Sequence, residues 1–448
     1  MRSKCLLLFL IIAFLVTSTN FDLCNATRGP HQHPEPKPTP KPNSSPNPSP
    51  NKSIFNVLEY GAKGNGASDD TKAFLDAWAD TCKAAVSTMV VPSGYRFLIG
   101  PISFMGPCQP KIVFQLDGKI IAPTSPKAWG SGLLQWIEFK KLEGGIRIQG
   151  NGTIEGQGSA WWPNLKLNTY QDNAGKMPQT RPTALRFYGS YNVTVTGITI
   201  QNSPQFHLKF DNCQAVQVFN MTVSSPGDSP NTDGIHLQNS VDVSIHHTTL
   251  SCGDDCVSIQ TGCSNVHVHN VDCGPGHGIS IGSLGKGKTQ ACVSDITVRN
   301  VRMNNTLAGV RIKTWQGGSG SVRNIKFSNI QVSEVKTPID IDQFYCDGPN
   351  HCKNESSALA LSQISYEKIK GTYTVQPVYL ACSDNFPCYN ISLTDIELKP
   401  LQENLHIYDP YCWDAYGELH APTIPPVDCL QSDNRKINER LLAQDSCK

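Results

Sequence analysis

The sequence predicts an all-β chain wound as a right-handed parallel β-helix, a solenoid, with one short helix capping its N-terminal end. Three observations carry this. An apolar–x–apolar–x–x–apolar pattern recurs from Val193 onward at intervals of 23, 27, 23, 30, 29, 39 and 27 residues, and self-similarity at such periods marks stacked repeats. A second alternating segment follows each copy after 13 to 19 residues, so each repeat holds at least two strands. Helical spacing of apolar residues occurs in Asp70–Ala85 but not in the repeat, which argues against a leucine-rich repeat, the structural rival.

Taken in chain order, Met1–Lys4 holds two positive charges and Leu6–Val16 is an eleven-residue apolar run. This reads as a secretory signal over residues 1–26, too short to span a membrane and cleaved between about Thr19 and Ala26. Nine of the twenty-one residues from Pro30 to Pro50 are proline, so residues 27–53 are expected to form an extended linker. The β-helix domain is expected over 54–448, beginning with Asp70–Ala85, whose acidic start and apolar Phe74, Leu75, Trp78 and Cys82 fit a helix lying over the open end of the solenoid.

The first strands of the repeat run from Val193/Val195/Ile198 through Val216/Val218/Met221, Val266/Val268/Val271, Ile296/Val298/Val301, Ile325/Phe327/Ile330 and Ile364/Tyr366/Ile369 to Ile391/Leu393/Ile396. Val243/Ile245 is a further copy, with Thr248 at the last apolar position. The second strands are Leu208/Phe210, Ile235/Leu237, Val257/Ile259, Ile279/Ile281, Val310/Ile312, Ile339/Ile341 and Val378/Leu380. Asn220, Asn270, Asn300 and Asn329 each stand four residues after the first apolar position, which predicts an amide ladder at a turn, with Asn220 facing inward rather than carrying a glycan.

Composition narrows the class. The 448 residues hold 38 Lys+Arg against 37 Asp+Glu, a formal charge of +1 that falls to about 0 once Arg2, Lys4 and Asp22 leave with the signal. Nothing in this balance favours nucleic acid. Seventeen cysteines fit an oxidising compartment. The spacings Cys346/Cys352 and Cys382/Cys388 suggest small disulfide loops, and loss of Cys5 and Cys24 would leave one thiol of fifteen unpaired. Sequons at Asn25, Asn43, Asn51, Asn151, Asn192, Asn220, Asn304, Asn354 and Asn390 suit a secreted glycoprotein, several of them expected to be unused.

With the second strands in register, Asp233, Asp255 and His277 occupy one column, and Asp254 stands beside Asp255. Strands about 4.8 Å apart bring three carboxyl groups into one patch, where they do not all ionise freely. A protonated acid beside ionised carboxylates is what glycosidic hydrolysis requires. Two repeats on, Arg311 and Lys313 flank inward Ile312 and point outward together, a pairing suited to a substrate carboxylate. Each feature has a plainer reading: Asp-Asp as a turn or cap, Arg-x-Lys as a polar strand face, His277 as a turn residue. Their convergence on one face favours chemistry. His246, His247, His267 and His269, with Cys252 and Cys256 nearby, suggest a metal site, but cysteines in an exported chain pair with each other, and no metal is expected.

Ser229–His236 (SPNTDGIH), Cys252–Ile259 (CGDDCVSI), Cys273–Gly285 (CGPGHGISIGSLG) and Arg311–Gly320 (RIKTWQGGSG) together resemble the four motifs of the polygalacturonases, pectin-hydrolysing glycoside hydrolases of β-helix fold. The resemblance runs from about Phe55 to about Cys447 and is closest in phrasing to the plant members. It implies inverting hydrolysis of α-1,4 bonds between galacturonic acid units in unesterified homogalacturonan, without a cofactor. By the same resemblance, Asp254 would be the general acid, Asp233 and Asp255 would activate water, and His277 would hold the protonation network. Arg311 and Lys313, with Tyr345 of QFYCD, would bind the substrate. The Pro-rich segment lies outside this pattern, and Gln260 stands where the family commonly has smaller residues. The implied partner is pectin, chiefly homogalacturonan, met by a secreted monomer in the cell wall; neither nucleic acid nor a membrane is expected.

Three other readings compete. A pectate or pectin lyase shares fold and substrate but eliminates, often with calcium, giving an ultraviolet-absorbing product. A wall protein that binds pectin without cleaving it has no need for crowded carboxylates facing a polyanion. Rhamnogalacturonan or xylogalacturonan would fit the same motifs, although Arg311 and Lys313 favour plain galacturonate.

Overall fold

A computed structural model describes residues 53–162, 177–346, 354–402, 408–432 and 447. The expected signal (1–26), all of the expected linker but Ser53, the sequons at Asn25, Asn43 and Asn51, and Cys352 lie outside the described residues. The described part falls in one compact unit, Pro50–Lys448. Its strands form two parallel sheets of 22 and 11 members, so a turn of the solenoid contributes three strands, one more than the minimum expected.

The register is the predicted one. Val193, Val216, Val243, Val266, Ile296, Ile325, Ile364 and Ile391 stand in one column of the larger sheet. Leu208, Ile235, Val257, Ile279, Val310, Ile339 and Val378 stand in one column of the smaller sheet. These side chains are buried, because alternation sends one face of every strand into a shared interior. Toward the N-terminal end the column becomes aromatic: Phe104, Phe139, Phe187 and Phe210 follow one another at centroid separations of 4.8, 5.3 and 5.2 Å, each contact adding about 0.5–1.5 kcal/mol beyond burial.

Helix α1, Thr71–Lys83, covers that end. Asp69 accepts from the Thr71 N–H at 3.0 Å, while Asp70 turns back onto the Lys63 and Gly64 N–H groups at 2.6 and 3.1 Å. Phe74, Ala77, Trp78 and Thr81 are buried, Trp78 lying against Phe104 and Phe139. Leu75, expected on the buried face, is instead 42% exposed, because the buried stripe runs through Phe74, Ala77, Trp78 and Thr81 at i, i+3, i+4 and i+7 and Leu75 falls to one side of it.

The asparagine turns require a correction. Asn220, Asn270, Asn300 and Asn329 all adopt left-handed φ of 52–54°, a conformation asparagine tolerates better than most residues. The ladder is present: Asn329 Nδ2 donates to Asn300 Oδ1 (2.8 Å), Asn300 Nδ2 to Asn270 Oδ1 (3.2 Å), and Asn270 Nδ2 meets His247 Nε2 (3.2 Å). It lies outside the solenoid, however, and Asn220 is exposed rather than inward. A left-handed residue between two inward apolar positions points its side chain away from the core. The sequons at Asn151, Asn192, Asn220, Asn304, Asn354 and Asn390 are likewise all exposed, so none of these six is hidden in a packed turn.

Disulfides join Cys82–Cys108, Cys256–Cys273, Cys292–Cys447, Cys382–Cys388 and Cys412–Cys429, and Cys346 is also disulfide-bonded. The short Cys382/Cys388 loop is as expected. Three buried thiols, Cys213, Cys252 and Cys263, are free among the described residues, against the single one expected.

The smaller sheet carries the site. Its strands in chain order are β1 Ile102–Met105, β2 Gln135–Lys140, β3 Thr183–Tyr188, β4 Leu208–Asp211, β5 Ile235–Gln238, β6 Val257–Ile259, β7 Ile279–Leu284, β8 Ala308–Trp315, β9 Thr337–Tyr345, β10 Val378–Ala381 and β11 Tyr411–Trp413.

Candidate active site

Three successive turns, each entering a strand of the smaller sheet, deliver the acidic residues: Asp233 precedes β5, Asp254 and Asp255 precede β6, and His277 precedes β7. The turns are stitched through their backbones. The Gly234 N–H donates to Asp255 O (2.9 Å), Cys256 N–H to Gly278 O (2.8 Å), and His277 N–H to Asp254 O (2.7 Å). Thr232 Oγ1 accepts from the Gly253 N–H at 2.9 Å, and a Cβ at Gly253 would stand 1.9 Å from Ser229 O, so only glycine lets these turns meet. The Cys256–Cys273 disulfide closes the segment between Asp255 and His277.

The side chains converge on a cleft of about 500 Å³ lined by Asp233, Asp254, Asp255, His277, Arg311, Lys313 and Tyr345. Every expected site residue is therefore in one place. Their surroundings differ. Asp255 is nearly enclosed, with 3% of its side chain exposed, and takes Lys313 Nζ (2.9 Å) and Ser280 Oγ (2.7 Å). Asp233 has 7% exposed and meets His236 Nδ1 at 2.8 Å. Asp254 reaches furthest into the cleft, at 17%, and accepts from Asn231 Nδ2 (3.2 Å) and the Asp255 N–H (2.8 Å), with His277 Nδ1 at 3.0 Å.

Electrostatics separates the carboxyls. Burial, then the Asp254 and Asp255 charges, push the Asp233 pKa well above the ordinary value. Burial also acts to raise Asp254, but the His277 hydrogen bond and charge, Lys313 and the Asp255 N–H outweigh it, and its pKa falls below the ordinary value. The opposite directions of these shifts favour Asp233 over Asp254 as the carboxyl that keeps a proton in the free cleft. Burial and nearby Lys209 and Lys313 lower His236 to about 3, so the His236–Asp233 contact is a neutral hydrogen bond, braced by stacking of His236 on Phe206 at 4.1 Å.

Arg311 and Lys313 project on the same side of β8, as expected, but both already face protein carboxylates. Lys313 reaches Asp255 across two strands. Arg311 Nε stands 3.0 Å from Asp340 Oδ2 without its N–H aimed at it. Tyr345 packs edge-on against Trp315 (5.6 Å), its ring 5.4 Å from the Arg311 guanidinium carbon and 5.6 Å from Lys313 Nζ. Gln260 Nε2 donates to Ser258 Oγ (2.9 Å) and Gly282 O (2.6 Å), so it forms part of the cleft floor.

His236, Ser280, Asn231 and Asp340 were missed by the sequence reading. The periodicity could have found three of them: His236, Ser280 and Asp340 are outward positions of β5, β7 and β9, in the column that holds Arg311. Donor atoms of Asp254, Asp255 and His277 lie within 4.8 Å of one another, close enough to share a cation. Lys313, 2.9 Å from Asp255, places a positive charge where such an ion would compete, and His277 already engages Asp254. Half-buried His246 and exposed His247 meet each other through Nδ1 atoms 2.8 Å apart, while Cys256 is committed to its disulfide.

A cleft of crowded carboxyls on the face of a parallel β-helix suits glycoside hydrolysis, and comparison with known families gives the particular family. The model of "Glycosyl hydrolases family 28" matches residues 82–407. The chain is 41% identical over 389 residues to a probable polygalacturonase of Arabidopsis thaliana, covering 86% of each protein. It is 41% identical over 348 residues to a polygalacturonase of Cryptomeria japonica, covering 78% of this chain and 67% of that one. The chain belongs to glycosyl hydrolase family 28 and is a glycoside hydrolase. The polygalacturonase from Erwinia carotovora shares its fold, with a TM-score of 0.63 at 24% identity over 79% of this chain and 94% of that one.

Proposed function

We propose that this family 28 enzyme is a polygalacturonase that hydrolyses α-1,4 bonds between galacturonic acid units of homogalacturonan with inversion. The observation that carries the reading is the convergence of Asp233, Asp254 and Asp255 in one cleft with Arg311 and Lys313 two strands away. Asp254, the most accessible carboxyl, protonates the departing glycosidic oxygen. Asp233 and Asp255 take the proton of a water that attacks the anomeric carbon. His277 holds Asp254 in place, and Arg311, Lys313 and Tyr345 receive the uronate at the cleavage point. The acid step needs the shared proton on Asp254 rather than on Asp233; a glycosidic oxygen laid against Asp254 offers the acceptor that favours its protonated form.

The protein acts outside the cell on wall pectin. Supporting this are the leader-like residues 1–26 and the disulfides, which suit an oxidising compartment. No helix among the described residues is long and apolar enough to cross a membrane.

The test is to incubate the purified protein with polygalacturonic acid, with and without chelator, following reducing ends and ultraviolet absorbance together. Reducing ends without absorbance, unaffected by chelator, are expected. Absorbance would mean elimination, and neither signal would leave a binding protein.

A further inference from the structure

We propose that the groove beyond the cleavage point, over β9 to β11, is a subsite for methyl-esterified galacturonosyl residues, so that the enzyme works best where a free uronate at Arg311/Lys313 is followed by esterified units. This rests on the polygalacturonase reading and names the substrate pattern of that site.

The groove floor changes character at β8. On the N-terminal side it holds cations, with Arg186 on β3 and Lys209 on β4 in the column of His236. Arg311 and Lys313 on β8 are the last, for β9, β10 and β11 contain no lysine or arginine. The Arg311 column continues as Asp340, Tyr379 and Tyr411, and the Lys313 column as Asp342, Ala381 and Trp413.

A polymer lying along the axis from the cleavage point thus crosses two carboxyls and then an aromatic platform, which ends three strands or about 14 Å from Arg311. Tyr379 and Tyr411 stack at 5.3 Å and 18°. Trp413 is held by its Nε1 donating to Asp384 Oδ1 at 2.6 Å. Tyr411 and Trp413, on the edge strand of the smaller sheet, are 41% and 49% exposed and continue the columns of the cleft floor.

A free uronate over this platform meets ionised Asp340 and Asp342, which repel it, or protonated ones, which supply no positive charge; Arg311, the guanidinium beside them on β8, already faces Asp340. A methyl ester removes the charge and adds an apolar group that aromatic faces favour. The unbroken strand columns from the cleavage point and this charge pattern select an esterified stretch of the same polysaccharide over an apolar protein partner.

The experiment compares kcat/KM on unesterified and on partially methyl-esterified homogalacturonan for the full chain and for Tyr411→Ala, Trp413→Ala and Tyr411→Lys. All three changes are at exposed positions. The wild type is expected to use the esterified polymer at least as well as the unesterified one. The ratio of the two should fall about tenfold in the alanine variants and further in Tyr411→Lys, where the new ammonium attracts free uronate. An unmoved ratio, or a wild type that discriminates against the esterified polymer by more than about tenfold, would overturn the proposal. Calorimetric binding of partially esterified and unesterified oligomers to Asp254→Asn reads the same preference without turnover. If the wild type releases no reducing ends, the polygalacturonase reading fails, and this binding preference still decides the subsite.

Discussion

Three neighbouring carboxyls become different reagents because their surroundings differ. Asp255 is spent on Lys313 and Ser280, Asp233 is buried against neutral His236, and Asp254 alone reaches well into the cleft. Asp254→Asn is expected to lower kcat by about 10³-fold or more with KM little changed, since it removes the proton donor and keeps its shape. Wild-type-like turnover in that variant, measured on polygalacturonic acid, would reassign the acid to Asp233, whose pKa burial and its neighbours raise. Asp340 gives a second, thermodynamic prediction. Burial, only partly offset by Arg311, raises its pKa from 3.8 to about 7. Stability from this group is fully present below pH 3.8 and is lost as pH rises through 7, because the folded state must then ionise a buried carboxyl. Asp340→Asn is expected to match the wild type in thermal unfolding at pH 4 and to exceed it at pH 8, by on the order of 4 kcal/mol. A variant less stable at pH 8 would show that the Arg311 pair outweighs the burial cost.

At the scale of the element, each rung is defined by where the chain is allowed to bend. Strands and register were legible because an inward residue at every second position leaves a pattern that a shift of one would destroy; the columns through Val193 and Leu208 are as read. The side on which the bends face was not legible, since the spacing of Asn270, Asn300 and Asn329 is the same for an inner or an outer ladder. Rungs before Val193 were also missed: Ile146 and Ile148 pair with Val193 and Val195, and Ile112 and Phe114 with them in turn, but long insertions break the interval there. Asn300 sits in the middle of the outer ladder, bonded on both sides. Asn300→Ala should lose both amide bonds and the tolerance of left-handed φ, costing about 2 kcal/mol, with Asn300→Gly recovering the backbone part. Thermal unfolding of the two variants separates the terms; equal losses would mean that the backbone conformation contributes nothing.

Over the whole molecule, the continuous core makes each rung depend on its neighbours, so the ends govern how unfolding begins. One end is sealed by α1, whose Trp78 contacts continue the aromatic column. Cys447 is tied to Cys292, a residue 155 positions earlier in the middle of the solenoid. The fold and the convergence of acids were readable from periodicity and motif, but this tie was not, because fifteen candidate cysteines leave connectivity open and only three-dimensional proximity resolves it. Closing so long a segment removes chain entropy from the unfolded state, about 5 kcal/mol in the loop-closure account. The double variant Cys292→Ser, Cys447→Ser, which leaves no stray thiol from this bridge, should lose up to that amount in denaturant unfolding. Cys292 lies on the larger sheet and meets the cleft wall at Thr261, whose Oγ1 accepts from its N–H at 3.3 Å, but it touches none of the carboxyls or cations at the cleavage point, so kcat on polygalacturonic acid should stay within about twofold of wild type. A comparable fall in kcat would mean that the groove is held in shape by the bridge, and an unchanged unfolding midpoint would mean that the unfolded chain gains little freedom when it is cut.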